Sequence, residues 1–261
     1  MLLQDKIAVV YGAAGDVGGA VARAFAREGA RVFLAGRTVT SLEAVAREIV
    51  AAGGRAEAAP VDALDEGAVE RHADAIVTAA GKIDISFNCI ELGDTQGKPI
   101  LQMKLEDFVR PIEAAARTQF LTATAAGRRM AKQGSGVVMA ITANVARTTA
   151  PNVGGFGAAC ALIEGICRQL TVELGPSGIR VVCLRSGGSA DTRGVGEVLK
   201  LHSGIAGITP EELEKSWTKD IPLRRLSRIA EVANAAVLMA SDYASAVTGE
   251  VTNVTCGALQ D

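Results

Sequence analysis

Residues 6–37 constrain the fold more than any other stretch, because they read KIAVVYGAAGDVGGAVARAFAREGARVFLAGR. The apolar run from Ile7 to Tyr11 indicates a buried strand. Apolar residues then recur at helical spacing until Gly29, and a second apolar run, Arg31 to Ala35, follows. The stretch therefore predicts a strand-helix-strand unit with its two strands parallel in one sheet.

Three glycines at spacing three, Gly12, Gly15 and Gly18, join the first strand to the helix. In this context glycines let backbone N–H groups approach a pyrophosphate at the positive end of the helix. Asp16 and Val17, between the last two glycines, belong to the same predicted dinucleotide site. The alternative is a tight strand-to-helix turn that binds no ligand.

The end of the second strand indicates which dinucleotide is bound. NAD sites usually carry an acidic residue here, which accepts a hydrogen bond from the ribose 2′-hydroxyl. This chain instead has Arg37, whose planar guanidinium suits a 2′-phosphate, so NADP(H) is favoured over NAD(H). The alternative is a solvated surface arginine.

Composition limits the class of protein. A chain of 261 residues fits a single α/β domain, residues 1–261. Because 49% of the residues are apolar and only 3% are aromatic, we expect a core of Ala, Val, Leu and Ile. The net charge of −2, with the charges interspersed, gives no reason to expect nucleic acid or an anionic membrane as a partner. The longest uncharged stretch, 148–163, is too short to cross a bilayer.

No basic-then-apolar leader precedes the first strand, so a cytoplasmic protein is expected. The five cysteines show no CxxC or Cys/His ligand spacing, so no metal site is predicted, and most of them are expected to be small buried thiols in a reducing compartment. They are Cys89, Cys160, Cys167, Cys183 and Cys256.

Strands and helices alternate along the whole chain, which predicts an α/β fold with a doubly wound parallel sheet, helices on both faces and ligands at the carboxyl ends of the strands. One long helix is predicted at about 105–132 and another at about 152–174. Residues 186–222 are glycine-rich and then charged, which suits a mobile lid with one short helix at about 210–219.

With these features in place, the chain resembles the short-chain dehydrogenase/reductase family over essentially its whole length. The matching segments are KIAVVYGAAGDVG, AGR after the second strand, VDALDE, ELGPSGIRV, IPLRRLSRIAEVA and ASDYASAVTGEVTNV. The resemblance implies a Rossmann-type sheet of seven strands in the order 3-2-1-4-5-6-7, NAD(P) binding, and a homotetramer or homodimer joined through the two long helices and the last strand. It also implies that Asp62 holds the adenine amino group, Asn88 lines the cofactor cleft and Thr192 approaches the nicotinamide carboxamide.

The family's catalytic residues are absent. Members of the family use a tyrosine four residues before a lysine, a serine thirteen before that tyrosine, and an asparagine in the preceding long helix. By alignment these positions hold Phe156, Cys160, Ala143 and Ala115. The chain has two tyrosines, Tyr11 and Tyr243, and no lysine between Lys132 and Lys200, so no Tyr-Lys pair exists on this helix in any register. Losing a positioned general acid costs about 10²- to 10⁴-fold in rate. The family's usual carbonyl reduction or alcohol oxidation is therefore not expected.

Two other departures affect the cofactor cleft. Asp16 stands where the family usually has glycine, and we expect it to cap the following helix. The family's Asn-Asn-Ala-Gly segment is replaced by residues 88–91, so that Ile90 and Glu91 bring bulk and charge to the place where the cofactor usually slides past glycine.

Few residues remain as candidates for chemistry. Glu91 is a weak candidate acid or base, against the alternative of a glutamate turned to solvent. Cys160 can be a nucleophile if its pKa is lowered, but a buried packing thiol fits better because no lysine or histidine is near it in sequence. Thr142 can donate a hydrogen bond to a ligand. In the lid, His202 is either a substrate contact or a surface residue, and Trp217 with its apolar neighbours suggests a cover for an apolar small molecule.

Three hypotheses follow. The first is an NADP(H)-dependent oxidoreductase that reduces an activated acceptor without the usual proton relay. The second is a catalytically inactive NADP(H)-binding pseudoenzyme. The third is a non-redox cyclase or isomerase that uses the cleft to orient a reactive substrate.

Overall fold

The computed structural model describes residues 1–260 and contains a seven-stranded sheet in which every pair of neighbouring strands is parallel. The strand order is β3-β2-β1-β4-β5-β6-β7, as the sequence predicts. The strands are β1 (Ile7–Tyr11), β2 (Arg31–Gly36), β3 (Arg55–Pro60), β4 (Ile85–Asn88), β5 (Gly136–Ala143), β6 (Ile179–Ser186) and β7 (Glu250–Val254).

Eight α-helices connect or flank these strands in the described residues. They are α1 (Asp16–Arg27), α2 (Val39–Ala51), α3 (Glu66–Ala80), α4 (Leu105–Gln133), α5 (Phe156–Leu174), α6 (Arg193–Ala206), α7 (Pro210–Thr218) and α8 (Ile229–Ala240). None of these helices combines the length and the apolar character that crossing a bilayer requires.

The sheet is buried on both faces because successive side chains of each strand point in opposite directions. In β1, Ala8 and Val10 join an apolar cluster with α1, α2 and α8, whereas Val9 and Tyr11 join a second cluster with α3, α4 and α5. The sheet is thereby held between two helical layers, and the carboxyl ends of β1, β4, β5 and β6 meet at one edge. Residues 186–222, here called the lid, follow β6 at that edge.

Two predicted elements differ from the structure. Helix α5 begins at Phe156 rather than near residue 152, because Asn152 and Gly154 have φ of +61° and +56° and are therefore not helical. The lid contains the predicted short helix, α7, but also the longer helix α6, which its three glycines concealed. Pro111 lies inside α4, after one full turn, and the helix continues through it.

Candidate functional site

The glycine-rich turn between β1 and α1 is packed so closely that two of its glycines are required by the fold itself. Gly12 has φ of +76°, and a Cβ atom there would lie 2.5 Å from the carbonyl oxygen of Cys89. A Cβ on Gly18 would lie 2.3 Å from the carbonyl oxygen of Gly12. Any larger residue at either place would push β1, α1 and the segment after β4 apart.

The start of α1 leaves backbone donors available. Gly15 is the N-cap, and no side chain caps the helix. The N–H groups of Asp16, Val17 and Gly18 have no acceptor in the part of the chain that the structure describes. These groups and the positive end of the helix suit an anion such as a pyrophosphate.

The prediction that Asp16 caps α1 is wrong. Asp16 is the first residue of the helix, one position too late to be the cap, and its Oδ2 atom instead accepts a hydrogen bond of 3.2 Å from the N–H of Gly194. Gly194 lies in the first turn of α6, so the carboxylate sits at the positive end of the lid helix.

Glu91 is exposed and lies beside the glycine-rich turn. Its Oε1 atom is 4.0 Å from the position that a Cβ atom on Gly15 would occupy. The carboxylate is therefore close to the same turn whose unpaired backbone N–H groups suit an anion. Ile90 is half-buried against the apolar cluster of α3, α4 and α5.

Arg37 and Asp62 lie after the ends of β2 and β3, and both are exposed. The guanidinium of Arg37 makes no hydrogen bond or ion pair with another residue in the range 1–260. The Oδ1 atom of Asp62 accepts a hydrogen bond of 3.0 Å from the N–H of Leu64 and so stabilises the turn into α3. Arg37 is thus a free cation at the place where the sequence predicts a 2′-phosphate.

Asn88, at the end of β4, is buried and has structural partners. Its Nδ2 atom donates to the hydroxyl of Thr122 on α4 at 3.1 Å, and its Oδ1 atom accepts from the N–H of Ile90 at 3.0 Å. The side chain therefore fixes the course of the chain after β4 and leaves only part of its hydrogen-bonding capacity for a ligand.

The amino-terminal end of α5 holds Phe156 and Cys160, and neither side chain can serve as the lost proton relay. Phe156 is half-buried against the apolar cluster of α3, α4 and α5. Cys160 is only 1% exposed, and burial raises the pKa of its thiol, so it is neutral at pH 7 and a poor nucleophile. The structure thus favours the packing role that the sequence indicates for Cys160.

The residues near the family's serine and asparagine positions also lack a free donor. Ala143 ends β5, and Ala115 is fully buried in α4. The hydroxyl of Thr142 is buried and donates to the carbonyl oxygen of Cys160 at 3.2 Å. Because a hydroxyl has one proton, Thr142 in this arrangement has none left to donate to a ligand.

Thr192 is the N-cap of α6. Its Oγ1 atom donates to the carbonyl oxygen of Ser189 at 2.7 Å and accepts from the N–H of Val195 at 3.4 Å. Gly15, Asp16 and Thr192 are among the residues lining a cavity of about 230 Å³ between the glycine-rich turn and the lid. The structure therefore places Thr192 near the glycine-rich turn, and its contact with a cofactor remains a prediction.

Sequence reasoning missed a hydrogen-bonded chain that joins the lid to the loop after β4. Gln96 donates from Nε2 to Asp94 Oδ2 at 2.8 Å, and its Oε1 atom lies 3.0 Å from Nε2 of His202 in α6. The imidazole of His202 meets the indole of Trp217 in α7 edge to face, with ring centroids 6.4 Å apart. Asp94 and Gln96 carry no motif, so only the folded chain shows their link to His202.

A second missed feature is a buried ion pair between α5 and β6. The guanidinium of Arg185 binds both carboxylate oxygens of Glu164 at 2.8 Å, and its NH1 atom donates to Asn253 at 2.7 Å. Removing either partner would leave a buried charge uncompensated. The pair therefore ties α5 to the sheet, below a cavity of about 510 Å³ that is also lined by Arg168 and Glu250.

The geometry fits the anionic parts of a dinucleotide. The unpaired N–H groups at the start of α1 and the free guanidinium of Arg37 are donors placed after two neighbouring strands. The carboxylates of Asp16 and Glu91 both place negative charge beside the turn, and that of Asp16 also accepts a hydrogen bond from the lid helix. Residues 1–260 contain no group of three or more His, Cys, Asp or Glu side chains placed to hold a metal ion.

The chain matches known proteins over nearly its whole length. Residues 12–258 match the protein family model described as enoyl-(acyl carrier protein) reductase. An uncharacterized oxidoreductase of Mycobacterium tuberculosis is 32% identical over 257 residues, which are 98% of this chain and 92% of that protein. The 7alpha-hydroxysteroid dehydrogenase of Escherichia coli K12 is 28% identical over 259 residues, which are 99% and 96% of the two chains.

A solved structure is also similar. It is a 7 alpha-hydroxysteroid dehydrogenase complexed with NADH and 7-oxo glycochenodeoxycholic acid, 29% identical in sequence. It superposes with a TM-score of 0.85, and the match covers 99% of this chain and 96% of that one.

Proposed function

The chain belongs to the short-chain dehydrogenase/reductase family, and we propose that it binds NADP(H) and reduces an activated acceptor without the Tyr-Lys proton relay. One observation carries this proposal: the end of α5 that faces the carboxyl edge of the sheet presents a phenyl ring and a buried neutral thiol, Phe156 and Cys160. A phenyl ring has no acidic proton, and the thiol is too deeply buried to reach a substrate oxygen, so neither group can act as the general acid.

The choice of NADP(H) is supported by Arg37. Its guanidinium is exposed, has no partner among residues 1–260 and follows the strand next to β1. A planar guanidinium can bind a phosphate through two hydrogen bonds, whereas no carboxylate stands there to bind a ribose hydroxyl. In the same proposal, the N–H groups of Asp16, Val17 and Gly18 hold the pyrophosphate.

The remaining predicted cofactor contacts keep their places in the proposal. Asp62 lies beyond β3 and is exposed to bind the adenine amino group, and Thr192 lies at the lid side of the cleft. Asn88 orients the segment after β4 and lines the cleft through its backbone neighbours.

The absent proton donor selects the kind of acceptor. The bound nicotinamide supplies a hydride. A saturated ketone that accepts a hydride becomes an alkoxide, which needs a proton or a stabilising donor at once, and Thr142 has no proton to offer. An iminium ion instead becomes a neutral amine. An alkene conjugated to a carbonyl group takes the hydride at its β carbon and becomes an enolate, which is much less basic than an alkoxide and takes its proton from water at the α carbon. Acceptors of these two kinds therefore suit this site.

Deuterium transfer tests the proposal directly. The protein is incubated with NADPH that is deuterated at either C4 position. Three acceptors are tested separately: an iminium precursor such as 2-methyl-1-pyrroline, the conjugated alkene 2-cyclohexen-1-one, and the saturated ketone cyclohexanone. We expect deuterium in the product of at least one of the first two acceptors and none in cyclohexanol. Reduction of cyclohexanone at the same rate as the activated acceptors would contradict the proposal.

A second candidate function is NADP(H) binding without turnover. It is favoured by the hydrogen bond between Asp16 and Gly194, which holds the lid helix against the glycine-rich turn, and by the carboxylate of Glu91 beside that turn. Saturable NADPH binding with no deuterium transfer to any acceptor would select this candidate.

A further inference from the structure

The chain Asp94–Gln96–His202 fixes the proton arrangement of His202. A carboxylate at neutral pH only accepts hydrogen bonds, so the Gln96 atom that lies 2.8 Å from Asp94 Oδ2 is the amide nitrogen. The amide oxygen therefore faces His202, 3.0 Å from Nε2, and the imidazole must donate from Nε2. The neutral ring then carries its free lone pair on Nδ1.

Nothing in the described residues occupies that lone pair, because no hydrogen bond to Nδ1 of His202 is formed. Burial lowers the pKa of His202 from its ordinary value, so the ring is neutral at pH 7 and Nδ1 is an acceptor. The ring is half-buried and remains within reach of a ligand.

The lid segment that carries His202 also carries exposed apolar side chains. Leu201, Ile205, Ile208 and Trp217 of the lid retain 43, 49, 40 and 39% of their accessible surface. Leu201 also covers Gly97, since a Cβ atom on that glycine would lie 3.0 Å from the leucine side chain. A single hydrogen-bond acceptor beside an apolar surface is the arrangement that orients an apolar ligand by one polar group.

The position of the chain connects it to the predicted reaction site. The loop that carries Asp94 and Gln96 reaches the segment just before α5 as well as the lid. Gly97 donates from its N–H to the carbonyl oxygen of Asn152, just before α5, at 2.7 Å. The loop and the lid therefore meet at the edge of the sheet where α5 begins.

We propose that Nδ1 of His202 accepts a hydrogen bond from the hydroxyl group of an apolar ligand, with Gln96 and Asp94 as positioning residues that set the tautomer. The identification of this ligand with the molecule that is reduced rests on the proposed function. The substrate class is then an apolar acceptor that also carries a hydroxyl donor.

Selective ¹⁵N-histidine labelling tests the proposal without cofactor. The chain has two histidines, so the buried His72 is an internal control beside His202. We expect His202 at pH 7 as the Nε2–H tautomer, and cyclohexanol, a donor, to shift its Nδ1 resonance more than cyclohexanone, which only accepts. A mixture of tautomers in the free protein, or equal shifts with both probes, would overturn the proposal.

Two variants separate a ligand contact from a lid support. His202→Phe keeps a ring against Trp217, the sole tryptophan, but removes the acceptor, and we expect about three- to tenfold weaker cyclohexanol binding by tryptophan fluorescence. Gln96→Leu is expected to remove the tautomer preference of His202. Unchanged cyclohexanol affinity in His202→Phe would show that the imidazole only supports the lid and would contradict the proposal. NADPH is absent throughout, so these outcomes are independent of cofactor binding.

Discussion

The carboxylate of Asp16, at the start of α1, accepts a hydrogen bond of 3.2 Å from the backbone N–H of Gly194, in the first turn of α6. This contact joins the glycine-rich turn to the lid across 178 positions of sequence. Asp16 therefore acts on the lid helix, where a negative charge near the positive end is stabilising by about 0.3–1 kcal/mol.

Replacing Asp16 with asparagine should loosen the lid. The variant keeps the shape of the side chain but loses its charge, so we expect hydrogen exchange over the first turns of α6 to become about two- to fivefold faster. Mass spectrometry of peptides from 193–206 measures this. The matched control is Asp65→Asn at the N-cap of α3, which should leave α6 unchanged. Equal exchange in the wild type and in Asp16→Asn would show that the contact does not hold the lid.

Replacing Glu91 with glutamine should strengthen NADPH binding. The carboxylate lies beside Gly15, where it repels a pyrophosphate, so we expect about three- to tenfold tighter binding at low salt and a smaller gain at high salt. Titration of nicotinamide fluorescence measures the affinity. Glu173→Gln, an exposed carboxylate at the far end of α5, is the control and should have no effect. An unchanged or weaker affinity for Glu91→Gln would place the pyrophosphate elsewhere.

His72 should make the fold sensitive to acid. Burial lowers its pKa to about 4, from 6.5 in a model peptide, and its Nδ1 atom has no partner within residues 1–260. In the unfolded chain His72 takes up a proton as the pH falls below about 6.5, whereas in the folded protein it stays neutral until about pH 4. The free energy of unfolding is therefore complete above pH 6.5 and falls as the pH drops toward 4. This group therefore costs about 3 kcal/mol between pH 6.5 and 4.

The variant His72→Phe tests this prediction, because it keeps a ring against Tyr11 and removes the titration. Urea unfolding at pH 7 and pH 4 gives the free energy of unfolding of both proteins. We expect the wild type to lose about 3 kcal/mol more than the variant over this range. Parallel losses would show that His72 is already protonated in the folded state or is not buried.

An oligomer joined through the long helices remains a prediction. Leu105 and Phe120 on α4 and Val172 on α5 are 73, 58 and 75% exposed, so both long helices carry apolar side chains that a partner subunit can cover. Light scattering after size exclusion should give a mass of two or four chains of 26.8 kDa for the wild type and a lower mass for Phe120→Asp. Tyr243→Asp, which changes another exposed ring outside these helices, is the control. A monomeric wild type would refute the prediction.

The sheet could be predicted from sequence because its signals are local. Strand β1 is a continuous apolar run bounded by a turn, and its bounds, Ile7–Tyr11, agree with the prediction at both ends. The strand order followed from the family resemblance and is confirmed. Helix α6 was missed because its glycines weaken the helical pattern. The contacts that stabilise its first turn are the N-cap Thr192 and the carboxylate of Asp16, and the second of these is distant in sequence.

The candidate site was only partly predictable, because local sequence patterns do not show contacts between residues that are far apart in the chain. The free Arg37 and the glycine-rich turn follow directly from residues 6–37, and the structure brings Asp16 and Thr192 to one cavity beside that turn. The partners of Gln96 lie 2 and 106 positions away, and no periodicity links residues at the larger separation. The buried pair of Arg185 and Glu164 likewise depends on the packing of α5 on β6.

The most direct test of this account is cofactor binding by the wild type and by Arg37→Ala. The purified protein is titrated with NADPH and with NADH, and nicotinamide fluorescence is followed. We expect saturable NADPH binding, weaker NADH binding, and a loss of about tenfold or more in NADPH affinity on Arg37→Ala with little change for NADH. Failure of both nucleotides to bind, or equal affinities that Arg37→Ala does not alter, would contradict the account.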